Sequence, residues 1–355
     1  MSRITELQRL LPEDVDGALI TSDINRRYFT GMKSSAGVVL VTRSEVFLLI
    51  DFRYYEKACS VVTDCSVVLM KDLRAQLTEL CERYQITVLA VESSAMTLRE
   101  LDSYKDKLPD VTFVVDGRLS ASICELRVVK SEEELASIRS AQAIAEQALE
   151  GMLDLIHPGA AERDIALELD YRMLRAGAEA ISFDTIAVAG ANSSLPHGVP
   201  GDRKLCKGDF LVMDFGAVVH GYHSDMTRTF AIGEPDDEMR KIYDCVLRAQ
   251  QAAIAIAHAG ITAEAYDEAG RAVIREAGYG EYFGHSLGHG VGLEIHEAPA
   301  AAPRQATLLR DGMVVTAEPG IYLPGRFGVR IEDMLVMRQE GCENLTRFPK
   351  TLTVL

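Results

Sequence analysis

Three things are scarce in this chain of 355 residues: positive charge, closely paired cysteines and long apolar runs. Lysine and arginine total 37 against 53 aspartates and glutamates, a formal net charge of −16. Nucleic acid and anionic lipid both attract proteins through a basic footprint, so this balance excludes them as non-specific partners and leaves small or neutral ones. The seven cysteines (Cys59, Cys65, Cys81, Cys124, Cys206, Cys245, Cys342) are scattered and never form a CxxC pair. That spacing excludes a zinc knuckle or dithiol redox motif and fits reduced structural thiols. No apolar run reaches membrane-spanning length. The opening MSRITELQRLLPEDVDGALITS spaces Ile4, Leu7, Leu10 and Leu11 like an amphipathic helix and lacks the apolar core and cleavage site of a signal peptide. A cytoplasmic location is expected.

What is present is enough apolar content, 48 %, for a sizeable core, in a length that predicts two domains. From Asp16 to about Ser120, short β-rich runs (GALITS, GVVLVT, VFLLID, TVLAVES, VTFVVD) alternate with helical text such as Leu73 to Tyr84, an α/β pattern. The join falls between Asp116 and Ser131, placing the first domain at residues 1–122 and the second at 123–355. Ser131 followed by Glu134 makes a capping-box start for a helix expected to run to about Ile156. Within the second domain, PGAAERDIALELDYRMLRAGA from Pro158 resembles AGITAEAYDEAGRAVIREAGY from Ala259, each with two glycines at the same separation framing a helix. Two related αβ halves are expected, with a chance match of glycine-capped helices as the competing reading.

The chemistry lies in the β-rich text after each of those helices. Asp214 interrupts the apolar run LVMDFG, where a carboxylate needs a counter-charge or a metal. The chain reverses near Val219, His220 and Gly221, and a turn at 219/220 or at 220/221 puts Asp225 on the same sheet face, directly opposite Asp214 or one diagonal away. Glu318 in MVVTAEPG and Glu332 in VRIEDMLV repeat the arrangement around the turn-rich IYLPGRFG. Carboxylates placed so repel one another unless one is protonated or a cation sits between them. His289, in FGHSLGHGVG, adds one nitrogen donor, and hard oxygens with a single imidazole suit manganese, cobalt or zinc, two ions fitting better than one. Taken singly, Asp214 has a blander explanation in a salt bridge to Arg228 or Arg330. His223 shares a face with Asp225 and is a competing ligand. His197, His285 and His296 cluster with the ligands as candidates for oxyanion stabilisation or proton transfer, whereas His220 and His258 read as surface or turn residues.

Taken together, FDTIAVAGANSSLPHG, MDFGAVVHGYHSDMTRT, GHSLGHGVGLEIHE, TAEPGIYLPG and GVRIED resemble the pita-bread metallopeptidases, in particular their Xaa-Pro aminopeptidase and Xaa-Pro dipeptidase branch. TSDINRRYFTG and LLIDFRYYEKA are similar to the creatinase-type domain that precedes the catalytic domain in that branch. The resemblance implies an α/β two-domain fold whose α+β catalytic domain has a pseudo-two-fold repeat. It implies two divalent cations, manganese foremost with cobalt or zinc as alternatives, held by Asp214, Asp225, His289, Glu318 and Glu332, with Asp225 and Glu332 bridging. It further implies that His197, His285 and His296 act on substrate, that Arg330 supports the ligands, that the substrates are peptides with proline in position two, and that the protein is a homodimer. Two other readings share these motifs: an enzyme of broader specificity resembling methionine aminopeptidases, and a non-catalytic pita-bread protein that binds peptides.

Overall fold

In a computed structural model that describes residues 2–355, the chain divides into two compact units, Met1–Arg127 and Val128–Leu355. The first unit is built on a six-stranded sheet of β1 (Gly17–Ile20), β2 (Val38–Thr42), β3 (Val46–Ile50), β4 (Ser66–Leu69), β5 (Val88–Val91) and β6 (Thr112–Val114), in the order β4-β3-β2-β1-β5-β6. The strands β1 to β3 are antiparallel in succession, and β4, β5 and β6 are added parallel. Helices α1 (Arg3–Leu10), α2 (Asp23–Thr30), α3 (Phe52–Val61), α4 (Leu73–Arg83), α5 (Leu98–Lys107) and α6 (Arg118–Val128) complete it. The join expected at 122/123 therefore lies inside α6. Five strands coincide with the β-rich runs; the sixth, the edge strand β4 (SVVL), lies outside them and has no fully buried residue.

The second unit has two halves of the same construction. Helices α7 (Glu132–Glu150) and α8 (Glu162–Arg175) cover one sheet, and α9 (Asp237–Ile256) and α10 (Ala263–Glu276) cover another. The capping box at Ser131 forms as expected, but α7 stops at Gly151, whose carbonyl accepts from Arg172 at 2.7 Å, and a short 3-10 turn follows at Leu153–Leu155. The text repeat has a matching backbone. Gly159 and Gly177 flank α8, Gly260 and Gly278 flank α10, all four at positive φ. The amides of Gly159 and Gly260 donate to Leu205 and Leu309, and those of Glu162 and Ala263 to Arg203 and Thr307. These corresponding bonds support duplication over chance.

In the first half, β7 (Ala180–Ile181), β8 (Ile186–Ala189), β9 (Asp209–Phe215), β10 (Ala217–Val219), β11 (Tyr222–His223) and β12 (Met226–Ile232) carry the first carboxylate pair. In the second, β13 (Gly288–Gly290), β14 (Glu297–Ala301), β15 (Val314–Ala317), β16 (Gly320–Leu323), β17 (Phe327–Arg330), β18 (Asp333–Arg338) and β19 (Gly341–Asn344) carry the rest, and β20 (Thr353–Val354) returns to pair with β12. Alternation decides which side chains face the helices. Leu211, Met213 and Phe215 pack with Leu149, Leu169 and Met173, so Val212 and Asp214 point the other way. Val315, Leu335 and Met337 likewise pack with Val246 and Tyr266, leaving Thr316, Glu318 and Glu332 on the opposite face.

Asp214 pairs with Thr227 and Val218 with His223, so the turn centres on His220 and Gly221, both at positive φ. Asp225 then lies across from Gly216, one diagonal from Asp214. Glycine is required at that crossing, because a Cβ on residue 216 would meet the Ser224 carbonyl oxygen at 1.9 Å. Replacing Gly216 by Ala is expected to lower stability by about 1–3 kcal/mol, the usual cost of overpacking, and to weaken metal uptake. Urea unfolding with and without added manganese measures both; unchanged values would show that the hairpin does not need this contact.

Candidate metal centre

The second hairpin is interrupted like the first, whose ladders stop on either side of Gly216 and Asp225. Ala317 pairs with Asp333 and Gly320 with Arg330, so Glu318 and Glu332 face each other in the gap between two paired segments. Pro319 in that gap has no N–H to donate. The amide of Glu332 donates instead to Thr227 O in the first hairpin at 3.1 Å, and that of Glu318 to Leu287 O at 2.8 Å. These two bonds join three segments, which carry Asp225, Glu318, Glu332 and, just past Leu287, His289.

Asp214, Asp225, His289, Glu318 and Glu332 all line one cavity. His289 Nε2 lies 3.3 Å from Glu318 Oε1 and 3.5 Å from Asp225 Oδ2. One donor atom each from Asp225, His289 and Glu332 fall within 4.8 Å of one another. His289 Nδ1 is 3.1 Å from its neighbour's carbonyl, Gly290 O, which can only accept, so Nδ1 carries a proton and Nε2 is the ring nitrogen turned to the carboxylates. Burial and then the charges of Glu332, Asp214 and Glu318 push the Asp225 carboxyl well above its ordinary range, and burial with Glu318 and Asp214 does the same to Glu332. Burial also raises Asp214, against the opposing charge of Arg330. Burial alone would raise Glu318 and lower His289, but their mutual pairing outweighs it in both, lowering Glu318 and raising His289.

Four carboxylates thus face one guanidinium and one imidazole. Asp214 Oδ1 and Glu332 Oε1 are buried with no hydrogen-bond partner, which is costly unless a cation completes them. The residues present fit a metal: hard oxygen donors plus one imidazole, with orphaned oxygens on two of the candidate ligands.

Arg330 ties the cluster to its surroundings. It donates to Asp214 Oδ2 at 2.5 Å, Tyr322 Oη at 2.8 Å, Thr227 Oγ1 at 3.1 Å and Pro196 O at 3.1 Å. The blander reading of Asp214 is therefore met by Arg330 at one oxygen only, while Arg228 pairs with Asp333 at 2.9 Å. Thr227 also donates to Glu332 Oε2 at 2.8 Å. Nothing in the sequence marks Tyr322, whereas Thr227, two residues from Asp225 and so on its face, carries a positional signal.

A cavity of about 690 Å³ opens over the cluster, lined by His197, His285 and His296 and by apolar side chains that include Phe183, Ile186 and Val199. His285 Nε2 lies 3.0 Å from Tyr322 Oη and its Nδ1 2.8 Å from Ser286 O. Burial lowers the pKa of His285, and burial with the neighbouring His289 charge lowers that of His296, so both favour the neutral imidazole at pH 7. His296 packs edge-on against His289, ring centroids 4.3 Å apart. His223 turns to Ser182 Oγ at 2.8 Å and does not line the cavity, which removes it as a competing ligand. His220 sits at the turn and His258 is exposed.

Comparison with known proteins matches metallopeptidase family M24 over residues 136–339 and the creatinase/prolidase N-terminal domain over residues 3–129. The chain is 37 % identical to the Xaa-Pro dipeptidase of Pyrococcus furiosus over 99 % of each chain. Among solved structures it is similar to the Xaa-Pro dipeptidase from Bacillus anthracis, with a TM-score of 0.95 and 40 % identity over 99 % of each chain. It is also similar to the X-Pro aminopeptidase from Thermotoga maritima, with a TM-score of 0.93 and 38 % identity over 98 % of this chain and 99 % of that one.

The raised carboxyls give a prediction with a definite sign. A carboxyl whose folded pKa exceeds its ordinary value, 3.8 for Asp225 and 4.5 for Glu332, holds more protons folded than unfolded, so its contribution to stability falls as pH rises through that window and above it. Metal-free protein should therefore gain stability on Asp225→Asn or Glu332→Gln substitution, and the gain should grow from pH 4 towards neutrality. Urea unfolding in the presence of chelator tests it; a gain that shrinks with pH would contradict the electrostatic reading.

Proposed function

The chain belongs to metallopeptidase family M24, with a creatinase/prolidase N-terminal domain ahead of a pita-bread catalytic domain, and on that premise we propose that it is a metal-dependent exopeptidase that hydrolyses the bond between an N-terminal residue and a following proline. The observation that carries the reading is the set of buried carboxylates, two of their oxygens unpartnered, beneath a cavity lined by three histidines. Asp214, Asp225, His289, Glu318 and Glu332 would hold two divalent cations, manganese foremost. Once bound, the cations supply Lewis acidity and lower the pKa of a bound water towards neutrality.

The chain's own residues do the rest. Arg330 fixes the Asp214 carboxylate, and Thr227 fixes that of Glu332, so neither needs to reorganise during the reaction. His197, His285 and His296 act on substrate. Held neutral by burial, His285 can accept the proton that the attacking water gives up and pass it to the departing proline nitrogen as the C–N bond breaks. That nitrogen belongs to a tertiary amide with no N–H to recognise, so specificity rests on packing of the pyrrolidine ring against the apolar wall. The free amino terminus is gripped beside Asp214. Both aminopeptidase and dipeptidase action fit this arrangement. We assign the protein to the cytoplasm as a homodimer, on the sequence composition and the family resemblance; no helix among the described residues is long and apolar enough to cross a membrane.

Asp225→Ala and Glu332→Ala should each abolish turnover and lower metal content, whereas His285→Ala and His296→Ala should keep the metal and lose about 10²- to 10⁴-fold in kcat. Metal analysis beside kinetics separates the two groups, and normal metal content with normal turnover in either carboxylate variant would sink the ligand assignment. Xaa-Pro peptides should exceed Xaa-Ala peptides by about ten- to a few-hundred-fold in kcat/KM, and N-acetylation should be more damaging than the proline exchange. Efficient cleavage of the acetylated peptide, under manganese, cobalt or zinc, would leave a metallohydrolase but not this exopeptidase.

A further inference from the structure

The segment from Phe283 to Leu287, which carries His285 and leads into His289, has no regular secondary structure. Buried backbone groups without a ladder need other partners. They find them on one turn of α10. Asp267, 1 % exposed, accepts from the Leu287 amide at 2.9 Å and is paired bidentately with Arg271 at 2.7 and 2.8 Å. Arg271 in turn donates to Phe283 O at 3.1 Å and His285 O at 2.7 Å, and its guanidinium lies 4.3 Å from the centre of the Phe283 ring. That ring meets His285 edge-on at a centroid distance of 5.0 Å. The helix comes close enough to do this because residue 270 is glycine; a Cβ there would meet Leu287 Cδ1 at 2.8 Å.

We infer that Asp267 and Arg271 are positioning residues, a buried pair that sets the reach of His285 towards the substrate by fixing the backbone on both sides of it. Neither residue lines the cavity, and neither touches a candidate metal ligand by any hydrogen bond found here. The spacing of four along a helix brings the two side chains together, and the planar guanidinium then reaches two carbonyls that a point charge could not serve at once. The His285 ring is held at its far end by Tyr322, so its backbone and its tip are fixed from different elements. Releasing the backbone end would leave the imidazole in the cavity but out of line. A misplacement of about 1 Å at a reacting group is enough to cost about a hundredfold in rate.

The inference rests on the exopeptidase reading for its kinetic arm, and the test keeps the two apart. Arg271→Lys retains the charge and loses the fork; Asp267→Asn retains an acceptor for the Leu287 amide and loses the ion pair. Each is compared with the parent protein and again in a His285→Ala background. With manganese supplied and Xaa-Pro peptides as substrate, either change should lower kcat by about ten- to a hundredfold in the parent, with KM and metal content little altered, and cost almost nothing where His285 is already gone. Equal losses in the two backgrounds would mean a general structural role and overturn the inference. Hydrogen–deuterium exchange reads the brace without any turnover: the amides of residues 284–287 should exchange faster in both variants while those of α7 and α8 stay unchanged. Unaltered exchange in that segment also overturns it. Failure of the parent protein to cleave any Xaa-Pro peptide would instead defeat the exopeptidase reading, leaving the exchange comparison to decide the brace.

Discussion

Mutual repulsion among buried carboxylates is the constraint on which the catalytic unit is organised. Asp214, Asp225, Glu318 and Glu332 share one face with a single guanidinium, Arg330, and a single imidazole, His289, and two of their oxygens have no partner. Each group taken alone would avoid such a site by protonation or by a salt bridge. Held together, they form a demand for cations. Nearly everything near them serves that demand: the glycine that lets the first hairpin close, the break in the second that frees Glu332 to bond Thr227, and the Gly290 carbonyl that keeps the His289 lone pair turned inward.

The two halves of the unit explain how the convergence is reached with ordinary elements. Each half lays two helices over one face of its strands and carries one carboxylate pair of a hairpin on the other, among apolar neighbours such as Val212. The differences between the halves are where function resides. Both hairpins keep one register across a gap, but the gap holds Gly216 in the first and Pro319 in the second, and only the second half contributes a metal-directed histidine. Arg330 crosses from the second half to Asp214 and Pro196 of the first, so the halves are locked by the same residue that supports the ligands.

Much of this was legible because an acidic residue inside an apolar strand is a local anomaly that period-two alternation can place on a face. Asp214 with Asp225 and Glu318 with Glu332 could be paired from turn residues alone, although the choice between a direct and a diagonal pairing needed the backbone at His220 and Gly221. The capping box at Ser131 fixed the start of α7, but its end depends on Arg172 from another helix, which no local pattern contains. Tyr322, Asp267 and Arg271 were unreadable for the same reason. Their roles come from bonds to residues remote in sequence or to backbone atoms of irregular segments, and a Tyr in an apolar strand or an Asp–Arg pair along a helix looks like ordinary packing or a solvated pair.

The tie between the Glu332 amide and Thr227 O has a bearing on how the protein is made. Ribosomal synthesis delivers the first hairpin well before the second, and domains begin to fold in that order. A nascent first half presents only Asp214 and Asp225 of the five candidate ligands, without His289 or the two glutamates. On that order the ligand set is complete only once the last strands close over the first and the Glu332 amide meets Thr227 O.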